Sequence, residues 1–194
     1  MKNTNDTRNQ IMNAAQDLIQ RQSISGVSFQ ELAKRIGIKK GSMYYHFESK
    51  DDLSVAVLER ATEQLQASFE RGEHYTPQAQ LSYFIGLFLQ FAGPGQKICP
   101  GGAFAGEWDR LNERVQDQAR GLMEVQLKGI ENILQAGLRS GDFEGHDLSV
   151  EALSQWVIAS IQGALLVSRV TGNAEAFENS MASIKSYLYK TKQD

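Results

Sequence analysis

SFQELAKRIGIKKGSMYYHFESK, residues 28–50, has the form of two short helices joined by a tight turn. Phe29, Leu32, Ala33 and Ile36 recur at helical spacing and so share one apolar face. Ser28 stands before them as an N-cap, its hydroxyl able to accept from a backbone N–H that the first helical turn leaves orphaned. Ala33 is small where a second helix has to approach closely. Gly37 falls where the chain must reverse, and glycine takes the left-handed conformation of such a turn without steric cost. Ile38 continues the apolar face, and Lys39, Lys40, Gly41 and Ser42 open the second helix. The pattern is a helix-turn-helix, with its second helix as the candidate reader of a DNA major groove.

The polar face of that second helix suits the task. Lys39, Lys40, Ser42 and Tyr45 are expected to project outward, while Met43 and Phe47 turn back to the core. Lysine can donate to guanine O6 and N7, and serine or tyrosine hydroxyls can meet bases or phosphates. Tyr44, His46 and Lys50 read as phosphate-positioning groups, Lys50 lying near the start of a further helix whose backbone N–H groups also face an anion. With Ser28 and Gly41 these residues make up the candidate DNA-binding set. An αα-hairpin carrying a solvated lysine pair is the plain alternative, but it does not require alanine, glycine and the apolar residues all at these positions.

Extended to SFQELAKRIGIKKGSMYYHFESKDDL, the stretch resembles the N-terminal signature of the tetracycline-repressor (TetR) family of one-component regulators. The matching elements are the Gly37 turn, Gly41, the Tyr44-x-His46-Phe47 run, and Lys50 followed by an acid and Leu53. The resemblance covers about the first 55 to 60 residues and continues beyond them only as a helical pattern. It implies an all-α fold, with a three-helix helix-turn-helix DNA-binding domain followed by a helical ligand-binding and dimerisation domain. It also implies a homodimer joined through its last two helices, and a repressor released by a small molecule. A dimer follows from physics as well, because one short helix reads only a few base pairs and a two-fold pair reads a palindromic operator on double-stranded DNA.

Composition fits this division. The chain has 194 residues, 41% hydrophobic and 22% charged, enough for one substantial core or a core plus a small appended domain. Its net charge of −3 is unevenly distributed. Residues 1–50 carry eight Lys/Arg against four acids, so +4, which leaves twelve against nineteen, so −7, for residues 51–194. The basic part is the part with the motif, so residues 1–50 are read as the DNA-binding domain and 51–194 as the effector-binding and dimerisation domain. The N-terminus lacks an apolar signal core, and WVIASIQGALLV is broken by Ser160 and Gln162, so no membrane span and a cytoplasmic location are expected. One cysteine excludes an internal disulfide and a cysteine-based zinc site.

Helical periodicity runs through the rest. Residues 6–21 form a first helix with Ile11, Ala14, Ala15, Leu18 and Ile19 on its apolar stripe. Ser49 caps a fourth helix reaching Arg71, with Asp51 and Asp52 in its first turn, where the helix dipole favours acids. Its early residues belong with the reading head and its late ones with the body, so its movement could carry a signal. Thr76-Pro77 starts a deeply apolar fifth helix. Gly93-Pro94-Gly95 and Pro100-Gly101-Gly102 bracket QKIC as a loop, and a short helix is expected over 103–111. Long helices follow over about 113–138 and from 147 or 149 to about 171, and a last one runs from Asn173 to the Lys190 region. Strand alternation and repeats are absent.

Two sensing readings arise in the body. Cys99 lies beside glycine-rich backbone two residues from Lys97, and a nearby cation favours the reactive thiolate. The thiol is therefore either an electrophile or oxidant sensor or a small buried hydrophobe. Tyr83, Phe84, Phe88, Phe104, Trp108, Met123 and Trp156 are candidates, with Cys99, to line an apolar effector pocket, with Glu107 and Asp109 flanking Trp108 to orient a polar or cationic group. Each is equally a core or solvated residue. Gly163, Ala164, Leu165 and Leu166 allow close helix packing, either within a subunit or across a dimer. His46, His74 and His146 lie in separate segments without paired ligands, so no metal, no cofactor and no enzyme are expected. The competing function is a helical ligand-binding or adaptor protein without specific DNA binding.

Overall fold

The computed structural model describes residues 4–92, 97–145 and 147–189. Among them the regular elements are helical: α1 (Thr4–Gln22), α2 (Phe29–Ile36), α3 (Lys40–His46), α4 (Lys50–Gly72), α5 (Pro77–Ala92), α6 (Pro100–Ala105), α7 (Glu113–Ser140), α8 (Val150–Thr171) and α9 (Glu175–Leu188). A 3-10 turn, Trp108–Arg110, separates α6 from α7. Extended pairing among the described residues is limited to one isolated antiparallel bridge between Phe143 and Tyr189.

Most boundaries follow from local chemistry. Ser28 caps α2 through its hydroxyl, which accepts from the Glu31 N–H at 3.2 Å. Gly37 ends that helix at φ 73°, in the left-handed region. Ser49 caps α4, accepting from the Asp52 N–H at 3.0 Å while donating to the Asp52 carboxylate at 2.7 Å. Ser149 does the same work for α8 through the Ala152 N–H.

One boundary differs from the sequence expectation. Pro100-Gly101-Gly102, expected in a loop, forms the first turn of α6, and the expected helix over 103–111 stops at Ala105. Proline is suited to a first turn, and the Cys99 Sγ accepts from the Gly102 N–H at 3.2 Å, so a thiol caps the helix in place of a hydroxyl. Gly93, Pro94 and Gly95, expected in the same loop, lie outside the described residues, as do His146 and Lys190.

The helices pack as two compact units, Met1–Glu63 with Cys99–Leu122, and Gln64–Ile98 with Met123–Asp194. This partition by packing differs from a sequence division after residue 50. In the first unit, Ile11, Ala15, Leu32, Met43, Leu53 and Phe104 are buried together with their neighbours, and α6 lies on α1. Glu107, just after α6, is 82 residues from Ser25 in sequence, yet its carboxylate accepts from both the Ser25 N–H, at 3.0 Å, and the Ser25 hydroxyl. Expected beside an effector, the Glu107 side chain instead closes the first unit, and is 10% exposed.

In the second unit the core is aromatic. Phe69 stacks on Phe84 at 5.3 Å, Phe84 meets Phe88 at 5.1 Å, and Phe88 meets Phe91 at 6.3 Å. α7 accommodates this core with a missing side chain: a Cβ on Gly129 would overlap the Phe69 ring. At the end of α7, a Cβ on Gly137 would overlap Phe143 in the same way. Phe143 stacks on Tyr189 at 5.7 Å, and the Tyr189 hydroxyl donates to the Gln78 carbonyl at 2.9 Å. Burial pushes the Tyr189 phenol above its ordinary pKa. α8 packs on α5 and α9 through Leu153, Val157, Ile161 and Leu165. By length and composition α8 is also apolar enough to cross a bilayer, which an unbroken-run criterion overlooks because Ser160 and Gln162 interrupt the run without lowering its average enough.

Two glycines of α7 give opposite expectations. Nothing lies within 4 Å of a Cβ on Gly121, so Gly121→Ala should stabilise by up to about 1 kcal/mol through helix propensity. Gly129→Ala should destabilise by about 1–3 kcal/mol because Phe69 has to leave its slot. Urea unfolding of the two variants tests the signs. A second expectation concerns acid. Burial raises the Glu107 pKa, but the hydroxyls of Ser23 and Ser25, the Ser25 N–H and the nearby Arg110 outweigh it and hold the carboxyl at about 2. A folded-state value below the ordinary 4.5 means that its stabilisation is complete above about pH 4.5 and lost as the pH falls toward 2. The gap in thermal midpoint between the parent and Glu107→Gln should therefore close over that range; a constant gap would contradict the assignment.

Candidate nucleic-acid interface and effector region

α3 has seven residues, too few to be stable alone, and is fixed by what it buries. Met43 is 0% and Phe47 4% exposed, so the helix is pinned on one side and can present only the other. On that other side Lys39, Lys40, Gly41 and Ser42 are exposed, and Tyr45 is 79% exposed. Tyr44 is 53% exposed and leans edge-on against Phe29 at 5.2 Å; Tyr45 and half-buried His46 meet at the same distance. The side chains expected to face outward do so, and those expected in the core are there.

A shallow groove runs beside this face, lined by Val27, Ser28, Phe29, Gln30, Lys40, Tyr44, Glu48, Ser49 and Lys50. Ser28, Lys40, Tyr44 and Lys50 are thus brought to one concavity, whereas Lys39, Ser42 and Tyr45 stand on the ridge outside it. Gln30 is an exposed groove residue that the motif reading did not select; only its position two residues into α2 could have suggested it. The Ser28 hydroxyl is used as a cap, and the Lys50 ammonium donates to the Ile24 carbonyl at 3.2 Å. Arg8, from α1, lies over the Phe47 ring at 4.9 Å and adds a cation that periodicity alone did not mark.

The residues expected to line a pocket are distributed over both units. Phe104 and Trp108 belong to the first unit, Phe104 fully buried and Trp108 half-buried beneath the Arg120 guanidinium at 5.1 Å. Cys99, also in the first unit, is 1% exposed and caps α6, in keeping with the buried of its two sequence readings. Phe84 and Phe88 fill the core of the second unit, and Met123 is half-buried there. Trp156 is exposed on α8 and packs edge-on with Tyr187 at 5.2 Å.

Tyr83 and Phe84 of this set border a cavity, with Ser68, Phe69, Gly72, Gln80, Leu87 and Ile133, that has room for little more than one water. The Arg71 guanidinium beside it, together with Ser68, holds the Tyr83 phenol below its ordinary pKa. One turn before Gly129 on α7, Gln126 is 3% exposed and its side-chain oxygen has no hydrogen-bond partner among the described residues.

A second surface stands out on α8. Leu166 is 55%, Val167 49% and Val170 88% exposed, and with Trp156, Ala159 and Gly163 they recur at helical spacing along one face. Tyr187 of α9 extends this face beside Trp156.

Comparison with known proteins agrees with this geometry over both parts of the chain. Residues 11–57 match the sequence family described as bacterial regulatory proteins, tetR family, and residues 77–184 match the tetracyclin repressor-like C-terminal domain. The HTH-type transcriptional repressor NemR of Escherichia coli (strain K12) is 28% identical over 195 residues, covering 94% of each chain. The HTH-type transcriptional repressor DhaR of Mycobacterium sp. (strain GP1) is 26% identical over 174 residues, 88% of this chain and 86% of that one. A TetR transcriptional regulator from Legionella pneumophila superposes with a TM-score of 0.85 at 26% identity, over 97% of this chain and 98% of the other. An all-α chain with an exposed, anchored reading helix and matches over both halves belongs to the TetR family and is a DNA-binding transcriptional regulator.

Proposed function

We propose that the protein is a homodimeric repressor that binds a palindromic operator through α3 and leaves it when an effector occupies the helical body. The observation that carries this reading is the α3 face, where lysines and a tyrosine are held outward by the complete burial of Met43 beneath them. In this reading Lys39, Lys40, Ser42 and Tyr45 meet base edges or adjoining phosphates, with Gly41 allowing the helix start to approach the duplex. Tyr44, His46, Lys50 and Ser28 position the sugar-phosphate backbone. The working division is functional: residues 1–50 read DNA, and residues 51–194 sense and dimerise. Acting on DNA, the protein would work in the cytoplasm.

The exposed α8 stripe supports the dimer. A row of leucine, valine, tryptophan, alanine and glycine gains by burial against a second copy related by two-fold symmetry. Gly163, with no neighbour within 4 Å of a Cβ, lets such helices approach closely. For the effector we infer a small molecule entering near Tyr83, where Arg71 and Ser68 supply polar contacts and the surrounding phenylalanines an apolar wall. The present void is too small for it, so binding requires the aromatic side chains to move. α4 runs without interruption from the reading head into the second unit, and is the natural carrier of that movement. Cys99 acts in this reading as a cap of α6, its burial weighing against an electrophile reaching the thiol.

Selection of bound sequences from a random duplex pool tests these statements together. The expected product is a palindrome with half-sites about one helical turn apart, bound equally with and without a quinone. Tyr45→Ala and Lys40→Ala should each weaken binding of the winner by about 1–3 kcal/mol while leaving the fold intact by circular dichroism. Release by quinone from the parent but not from Cys99→Ser would install the thiol as sensor, and enrichment of no sequence would favour the ligand-binding or adaptor alternative. Separately, Val170→Glu and Leu166→Glu should shift the protein from dimer to monomer in analytical ultracentrifugation; an unchanged mass would remove α8 from the interface.

A further inference from the structure

The turn between α1 and α2 is held from two sides at once. On one side the Glu107 carboxylate accepts from the Ser25 N–H and hydroxyl and from the Ser23 hydroxyl. Ser23 has φ 66°, a left-handed conformation that residues other than glycine keep only where their surroundings hold it. On the other side the carbonyl of Ile24, between those two serines, accepts from the Lys50 ammonium at 3.2 Å.

The connection then returns to where it began. Lys50 is followed by Asp51 and Asp52 in the first turn of α4. Asp51 accepts from the Asn112 amide at 2.6 Å, and Asp52 pairs with Arg114 at 3.1 Å. Asn112 and Arg114 open α7, five and seven residues after Glu107, and the Asn112 side-chain oxygen accepts from the Val115 N–H at 2.9 Å. Four chain segments are thus joined in a closed polar ring within the first unit. Its members come from the α1–α2 turn, the start of α4, the residue that precedes the 3-10 turn and the start of α7.

We propose that Glu107 is a positioning residue for DNA binding: by fixing residues 23–25 it holds the Ile24 carbonyl where it delivers the Lys50 ammonium to the groove beside α3. Glu107 lies in the α6–α7 connection and does not line that groove. It acts through the turn and through Lys50, whose flexible four-carbon stem has many alternatives when the carbonyl is displaced. A carboxylate suits the turn because its two oxygens can accept from all three groups aimed at it, two hydroxyls and an N–H. Glutamine at this position keeps the length, loses the charge and presents an N–H₂ group to one of those donors. The inference rests on the operator-binding reading above, with Lys50 meeting a phosphate.

The test measures affinity for the selected operator against salt concentration for the full-length parent, Glu107→Gln, Lys50→Ala and the double variant. Every phosphate that is no longer neutralised lowers the slope of log affinity against log salt by about 0.9. Glu107→Gln is expected to weaken binding several-fold, to flatten the slope by about 0.9 per protomer, as Lys50→Ala does, and to add nothing in the Lys50→Ala background. A loss of general stability would lower affinity without flattening the slope, and would multiply with Lys50→Ala; either result overturns the proposal. If Glu107→Gln does not melt cooperatively, Ser25→Ala, which removes one donor and leaves the carboxylate, is measured in its place under the same criteria. A parent that selects no duplex defeats the operator-binding reading and this proposal together. A parent that selects one, with Glu107→Gln equal to it in affinity and slope, defeats this proposal alone.

Discussion

A seven-residue helix in water has a costly nucleus and few hydrogen bonds to offset it. α3 exists because Met43 and Phe47 are taken out of water, each worth about 1.5–3 kcal/mol of transfer free energy. In the operator-binding reading, contact with DNA depends on that anchorage. With two side chains pinned, rotation of the helix about its axis is blocked, and Lys40, Ser42 and Tyr45 are held outward in one fixed fan. The same constraint explains the left-handed Gly37. A turn between two helices that must share a small core has no room for a gentler path.

The second unit solves a different problem with aromatic rings. Its core is a chain of phenylalanines packed into slots where α7 has no side chain. Such packing leaves little empty volume, so space for an effector has to be made by displacing rings. In the proposed effector reading the energetic cost of that displacement would subtract from the effector's intrinsic affinity and make the response a switch between two arrangements.

Much of the fold was legible because helices advertise themselves locally. Ser28, Ser49, Ser149, Pro77 and Gly37 mark helix ends through interactions spanning three or four residues, which periodicity and capping chemistry read directly. The outward and inward faces of α3 were equally plain, because a period of 3.6 decides them. What stayed hidden depends on distant partners. Glu107 beside Trp108 looks like a pocket carboxylate until Ser25, 82 residues earlier, is brought to it. Pro100-Gly101-Gly102 reads as a loop because glycine disfavours helix, and tertiary burial of Gly101, Ala103 and Phe104 overrides that propensity. The aromatic residues are for the most part buried or partly buried, as their apolar character implies, but composition carries no information on which of them share a cavity. Trp156 lies exposed beside Tyr187 on a face of α8 that the sequence did not single out as a surface.

The glycine slots on α7 bear on how this chain can change in length. Gly129 and Gly137 are eight residues apart, about 12 Å along the axis, and each receives a ring from elsewhere in the fold. One residue inserted between them would turn one slot about 100° away from its ring and shift it by about 1.5 Å. Either Phe69 or Phe143 would then meet a side chain where it now meets none. The loops at either end of this helix are under no such constraint, but the interval between the two slots acts as a fixed ruler, closed to insertion.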